Sequence, residues 1–319
     1  MNPLSLLLVA CLLAPAQIAK AWGFFAHERI NRLAVFSLPP EMMVFFKPHI
    51  EYITQQATAP DKRRYMLAAE GARHYLDADH YGQPLFAAIP RSWSDALVKF
   101  TADTLQRYGI LPWHLEKMMA QLTAAFQAGD GTRILRLASE LGHYMGDAHV
   151  PLHACSNHNG QLTGQHGIHG LWESRIPELL GDEGFDYWTG RAGYIKNMRS
   201  FIWQVVTESA LAADTVLRLE KKLSLRFPAD QRYAYELRKG VLVRNYSAAY
   251  TKAYQHVLGD MVERRMRGSV AAIAACWYTA WVDAGQPPLN LLTIIQPDKL
   301  AIQRLDSLWR HGKIFDREH

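Results

Sequence analysis

Between positions 143 and 173 the chain twice sets a histidine four residues ahead of a carboxylate: His143 before Asp147, and His169 before Glu173. On a helix such positions stand on one face, a turn apart. Each pair can therefore reach one metal ion without bending the backbone. Pro151 stops the first helical run, and His153 follows on the turn beyond it. Five nitrogen and oxygen donors thus fall within 31 residues, which commits this stretch to a helix, a turn and a second helix around a shared centre. Imidazole and carboxylate without thiolate favour zinc over manganese or iron. Five donors exceed one tetrahedral shell, so more than one ion is implied. A single His-x-x-x-Asp pair is ordinarily a surface ion pair; two pairs flanking a histidine-rich loop are harder to dismiss. Six of the 14 histidines, His143, His149, His153, His158, His166 and His169, lie here. His149 is left out of the ligand set, and His158 and His166 are expected at the rim.

The rest of the chain also reads as helix. Ile30, Leu33 and Ala34 recur at helical spacing until Leu38-Pro39-Pro40, and a second short helix over Glu41–Ile53 is interrupted at Pro48. Ser94–Arg107, Pro112–Ala128, Thr132–Ala148, Asn197–Leu223 and Asp230–Leu258 are expected helices, the last stopped by Gly259. Cys155–Gly170 is rich in Gly, Asn, His and Gln and reads as a loop. Val270–Trp281 is apolar but too short for a membrane span and reads as a buried helix. No strand-like alternation, repeat or linker stands out. The expectation is an all-α protein with one helical domain over 22–286 and a C-terminal extension over 287–319.

Hydrophobic residues form 49% of the chain and charged residues 20%, enough apolar matter for a large core and too much for wholesale disorder. The net charge of +5 suits an anionic substrate but is too small to mark a duplex-DNA binder. Residues 1–21 read as a signal peptide: Leu4–Leu13 is an apolar run of about ten residues, too short to span a bilayer, and Ala19-Lys20-Ala21 is a small-x-small cleavage site before Trp22. A lipoprotein signal processed at Cys11 is the competing reading. Export to the periplasm or medium is expected, with no transmembrane span in the mature chain. Three cysteines exclude a disulfide-rich scaffold, and whether Cys155 and Cys276 pair is open at this stage.

Gly142-His143-Tyr144-Met145-Gly146-Asp147-Ala148-His149-Val150-Pro151-Leu152-His153 closely resembles the signature of the superfamily that joins zinc-dependent phospholipase C with the S1/P1 nucleases. So do, in the same order along the chain, Trp22-Gly23-Phe24-Phe25-Ala26-His27, Pro60-Asp61-Lys62-Arg63-Arg64 and Arg73-His74-Tyr75-Leu76-Asp77. The likeness runs from Trp22 to Glu173 by motif and beyond that by helical character only. It implies the phospholipase C/P1 nuclease type of helical domain with a trinuclear zinc site. Carried over position by position, Asp61, His74, His143 and Asp147 hold one zinc. The amine and carbonyl of Trp22, His27 and a second oxygen of Asp147 hold its neighbour. His153, His169 and Glu173 hold the third. On their own, Trp22 would read as an anchor, His27 as a partly buried core histidine, Asp61 as a helix cap and His74 as a surface residue.

The resemblance further implies hydrolysis of a phosphodiester by a water activated between two zinc ions, with Asp61 orienting that water or taking its proton. Arg63, Arg64 and Arg73 are candidates for phosphate contact, although solvated helix-face charge is their ordinary role. Glu173 and the short interval from His153 to His169 lean toward phospholipase C and a phospholipid headgroup. The spacer between Trp22 and His27 leans toward a nuclease or 3′-nucleotidase acting on single strands or nucleotides. A secreted helical protein that binds metal without catalysis is the third possibility. No stable protein partner is inferred.

Overall fold

Proline, glycine and capping side chains set most of the helix boundaries. The computed structural model describes residues 23–292 other than 65 and 239, together with 294. The signal peptide expected over 1–21, Cys11, Trp22 and the C-terminal extension beyond 294 lie outside the described residues. α1 (Phe24–Ala34) is followed by α2 (Pro40–Phe46), entered through proline, and by α3 (Ile50–Gln56) and α4 (Ala59–Arg63). α5 (Trp93–Phe100) and α6 (Ala102–Tyr108) replace one expected helix, because Thr101 adopts φ 65° between them and its hydroxyl caps α6. α7 (Leu111–Gln127) pairs with α8 (Gly131–Ala148), whose first turn is capped by Asp130 accepting from the Arg133 amide at 2.9 Å. α9 (Ile168–Gly170) runs through a π turn, Leu171–Arg175, into α10 (Ile176–Gly184).

α11 (Met198–Ser224) is capped by Asn197, α12 (Ala248–Leu258) by Ser247, and α13 (Met261–Asp283) extends the expected apolar helix at both ends. The helix expected over Asp230–Leu258 is corrected by the structure. Its first half is an antiparallel hairpin, β1 (Tyr233–Arg238) and β2 (Val241–Tyr246), in the register Tyr233↔Tyr246 to Arg238↔Val241. Aromatic and β-branched residues at alternate positions favour strand, and Gly240, at φ 78°, supplies the left-handed turn between them. Mostly helical, with one two-stranded sheet among the described residues, the chain is all-α in class.

α8 is the axis of the core. Fifteen of its 18 residues are buried, so polar groups on it must find partners inside the protein. α1, α3, α7 and α13 pack around it. Trp277 of α13 donates its indole N–H to Ala138 O at 3.0 Å and stacks on Phe46 at 5.2 Å. α1 lies on the glycine face of α8: a Cβ at Gly142 would meet Asn31 Oδ1 at 2.1 Å, and one at Gly146 would meet Ile30 Cδ1 at 2.7 Å. Asn31 in turn donates to Ser139 O at 2.9 Å. Among the described residues no helix is long and apolar enough to cross a membrane.

Candidate metal centre

Six segments deliver buried imidazoles and carboxylates to one end of α8. α1 brings His27, α4 brings Asp61, and a short helical turn over Ala68–His74 brings His74. That turn is pinned by the link between α6 and α7, with Ile110 N donating to Ala72 O at 2.7 Å and Asp77 N to Tyr108 O at 2.8 Å. Gly109 lies between those bonds at φ 91°, where a Cβ would stand 2.1 Å from Tyr75 O. α8 itself supplies His143 and Asp147. The turn Pro151–Ala154 supplies His153, and the run from α9 into its π turn supplies His169 and Glu173.

These side chains form three buried groups able to hold a metal ion: His27, Asp61 and His143; His74, His143 and Asp147; His153, His169 and Glu173. Asp147 Oδ2 lies 2.9 Å from His74 Nδ1 and 3.3 Å from His143 Nε2, while Oδ1 lies 3.4 Å from His27 Nε2. Asp61 Oδ1 is 3.9 Å from both His74 Nδ1 and His143 Nε2. Glu173 Oε2 is 3.1 Å from His169 Nε2 and 3.3 Å from His153 Nε2. Eight of the nine residues named from the sequence are therefore brought together. The ninth, Trp22, is outside the described residues; Gly23 beside it is buried against Ser174, next to Glu173. The grouping differs in one respect: Asp61 also falls within reach of His27 and His143 as a set, so His143 belongs to two of the groups and, like Asp147, lies between neighbouring positions.

Backbone carbonyls set the tautomers. The Nδ1 of His143 is 2.8 Å from Ala57 O, that of His153 is 2.6 Å from His74 O, and that of His169 is 3.0 Å from His158 O. An N–H there leaves each Nε2 as a lone pair facing the centre, the arrangement that orients metal-binding imidazoles. His153 Nε2 and His169 Nε2 are 3.1 Å apart, and His143 Nε2 is 3.0 Å from His74 Nδ1. Facing nitrogens at such distances need a proton or a cation between them. Both oxygens of Asp61 and Oε1 of Glu173 are buried without a hydrogen bond. Each such atom costs about 1–3 kcal/mol if left unmatched, and a cation in each group would relieve them. The donor set and its unmatched oxygens fit metal ions.

The electrostatics agree. Burial disfavours the charged form of Asp147, but His143 and His153 outweigh it and hold the carboxyl well below the usual range. Burial also disfavours charge on Glu173, and His169 and His153 again prevail and lower it. Burial would lower His153; Asp147 and Glu173 overcome it and raise the imidazole to about 9. The carboxylates thus favour positive charge in this dry surrounding, carried by a protonated His153 or by a cation that displaces its proton.

A cavity of about 430 Å³ opens beside it, lined by His74, His153, His158 and His169, by Tyr75 and Asp77, and by the cations Arg64 and Arg107. Burial, with Asp79 nearby, pushes the Asp77 carboxyl up to about 7. Arg64 lies 3.7 Å from Asp61. Arg63 does not line this cavity; half-buried, it donates to Glu70, Glu140 and Tyr144. Arg73 also donates to Glu70, at 2.6 Å. Glu70 stands 3.7 Å from His74 Nε2 and takes a short hydrogen bond from Tyr144. Sequence reading missed Glu70, Tyr144 and Arg107; for Glu70 the available signal was its place four residues before His74. His149 turns its Nδ1 to Met145 O at 2.8 Å and lies against Gly268, away from the centre. His166 is exposed, and Cys155 and Cys276 are both free and buried. No family model and no curated protein matches the chain.

Proposed function

We propose that this protein is an exported zinc-dependent hydrolase of phosphodiester bonds. The observation that carries the reading is the opening of a cavity with two arginines directly onto a buried set of His, Asp and Glu donors in three groups. Asp61, His74, His143 and Asp147, His27 with Trp22, and His153, His169 and Glu173 are the residues that would hold three zinc ions. Zinc bound there supplies Lewis acidity toward a phosphoryl oxygen and acidifies a coordinated water. Asp61, with both oxygens lacking hydrogen bonds, accepts the proton of the attacking water. Arg64 and Arg107 neutralise the non-bridging phosphoryl oxygens at the cavity wall.

The substrate reading leans toward a phospholipase C, on Glu173 and the short His153–His169 interval. Tyr75, a ring on the cavity wall, favours the alternative of a single-strand nuclease or 3′-nucleotidase, because it offers a stacking face for a base. The deciding experiment assays phosphatidylcholine, single-stranded DNA, RNA and 3′-nucleotides before chelation, after it, and after zinc is restored. Hydrolysis of one class that is lost and regained with zinc is expected. Zinc binding with no turnover of any of them would leave a non-catalytic metal-binding protein.

A further inference from the structure

The register of the β1–β2 hairpin puts Tyr235 and Leu237 of one strand on the same face as Leu242 and Arg244 of the other. Toward the turn that face is open: Tyr235, Leu237 and Leu242 are 70%, 74% and 65% exposed, while nearer the root Arg244 lies over the Tyr233 ring; Val241, at the turn and on the opposite face, is 63% exposed. The root of the hairpin is fixed. Arg175, two residues beyond Glu173, donates to Tyr246 O and pairs with Glu236 on the opposite face. Tyr246 donates to His166 O at 3.2 Å and stacks on Tyr250. Arg232 donates to Ser224 O, tying the hairpin to the end of α11, where Leu225 is also exposed. A two-stranded arm between α11 and α12, with an aliphatic outer face, is therefore anchored at its root on the segment that carries His169 and Glu173. Left bare, such a strand pair is a liability in water.

Charge gathers in the same place. Positions 218–246 hold eight lysines and arginines against three carboxylates, a surplus as large as the net +5 of the whole chain, so the remainder sums to zero. Two of those carboxylates are engaged: Glu220 is buried under Tyr250, and Glu236 is held by Arg175. We infer that this hairpin is an arm that docks the protein on an anionic lipid surface. An anionic bilayer rewards both properties at once, the aliphatic side chains at the headgroup–acyl boundary and the cations at the headgroups. A nucleic acid would satisfy the cations but would leave Leu237, Val241 and Leu242 unburied. Strands of six residues are short of the nine to eleven that cross a bilayer, so the arm lies in the interface. The inference stands independently of the hydrolase reading.

The test places an environment-sensitive fluorophore on Val241→Cys, in a full chain carrying Cys11→Ser, with Val98→Cys on α5 as an exposed control away from the hairpin. The remaining cysteines are buried. Vesicles of phosphatidylcholine with phosphatidylglycerol should shift emission at 241 to the blue, whereas phosphatidylcholine alone should not, and 98 should stay unshifted. Leu237→Ser with Leu242→Ser should remove the shift. Lys222→Gln and Arg226→Gln should each weaken vesicle affinity about fivefold, with circular dichroism confirming the fold. No shift at 241, an equal shift at 98, or a shift produced instead by single-stranded DNA would overturn the inference.

Discussion

The imidazoles of His27 and His143 lie stacked, with ring centroids 3.9 Å apart and planes inclined by 24°. Two imidazolium ions would repel in that contact. Burial, and His143 beside it, lower the pKa of His27, which keeps it in the neutral state that binds metal. Zinc-loaded protein is accordingly expected to carry close to three equivalents by elemental analysis. A folded preparation that retains one or none after loading contradicts the trinuclear assignment.

Asp147 faces His27 with one oxygen and His74 and His143 with the other. Asp147→Asn keeps the shape and removes the charge. Loss of outer-shell partners costs about 10–100-fold in metal affinity, so loss of this shared ligand should cost at least the upper end and abolish turnover. Asp77→Asn, at the cavity wall, should retain zinc. Equal zinc content and rate in Asp147→Asn and the unaltered protein would refute its bridging role.

Signal cleavage should assemble the centre if the Trp22 amine is a ligand. One extra residue moves that amine about 3.8 Å along the chain and turns the donor into an amide. A form retaining Met-Ala ahead of Trp22 should keep its circular dichroism but lose zinc and phosphodiester hydrolysis by orders of magnitude. Identical zinc and rate in the two forms would remove Trp22 from the site and favour processing at Cys11.

Glu70 is buried, which alone would raise its pKa, but His74, Arg63 and Tyr144 outweigh this and lower it from the ordinary 4.5. An acid depressed in the folded state contributes stability above its unfolded pKa and loses it as pH falls through the folded value. In metal-free protein, Glu70→Gln should therefore be less stable than the parent at pH 7, with the gap closing as pH drops below about 4.5. Urea midpoints across that range measure it, and a gap that stays constant would show that the charge of Glu70 is not what matters.

The glycines facing α1 make a third kind of test. Gly142→Ala must displace Asn31, and Gly146→Ala must displace Ile30 and crowd His27, whose Nδ1 lies 3.2 Å from the added atom. Overpacking of this sort costs about 1–3 kcal/mol. Gly170→Ala meets nothing within 4 Å on a helical backbone and should be neutral or slightly stabilising. Thermal midpoints that fall equally for all three would mean that close approach of α1 to α8 is not the reason for the glycines.

The ligands were legible because metal chemistry restricts residue type and spacing together: His143 with Asp147, and His169 with Glu173, announce themselves in one local window. The partners that orient them were not. Glu70 reaches His74 from four residues away, but its bond from Tyr144 spans more than 70 residues, which no local period encodes. The hairpin was hidden for another reason. Tyr233–Tyr246 sits between two strong helix patterns, and its alternation is apolar on a face that solvent, not core, receives. Thr101 escaped because a positive φ at threonine carries no sequence signal comparable to glycine. Gly142 and Gly146 stood within a recognisable string, but only the structure shows that they admit α1.

The described residues contain no disulfide, and their two cysteines are free and buried. His27, Asp61 and His74 nonetheless meet a helix that begins at residue 131. Zinc held between them would close loops of roughly the length for which a covalent cross-link restricts the unfolded chain by about 4–5 kcal/mol. In that case the ions do the cross-linking that cystine does in disulfide-bonded chains. Unfolding half-life should then collapse in a chelator and stay unchanged in dithiothreitol, the reverse of what a disulfide-bonded protein would show.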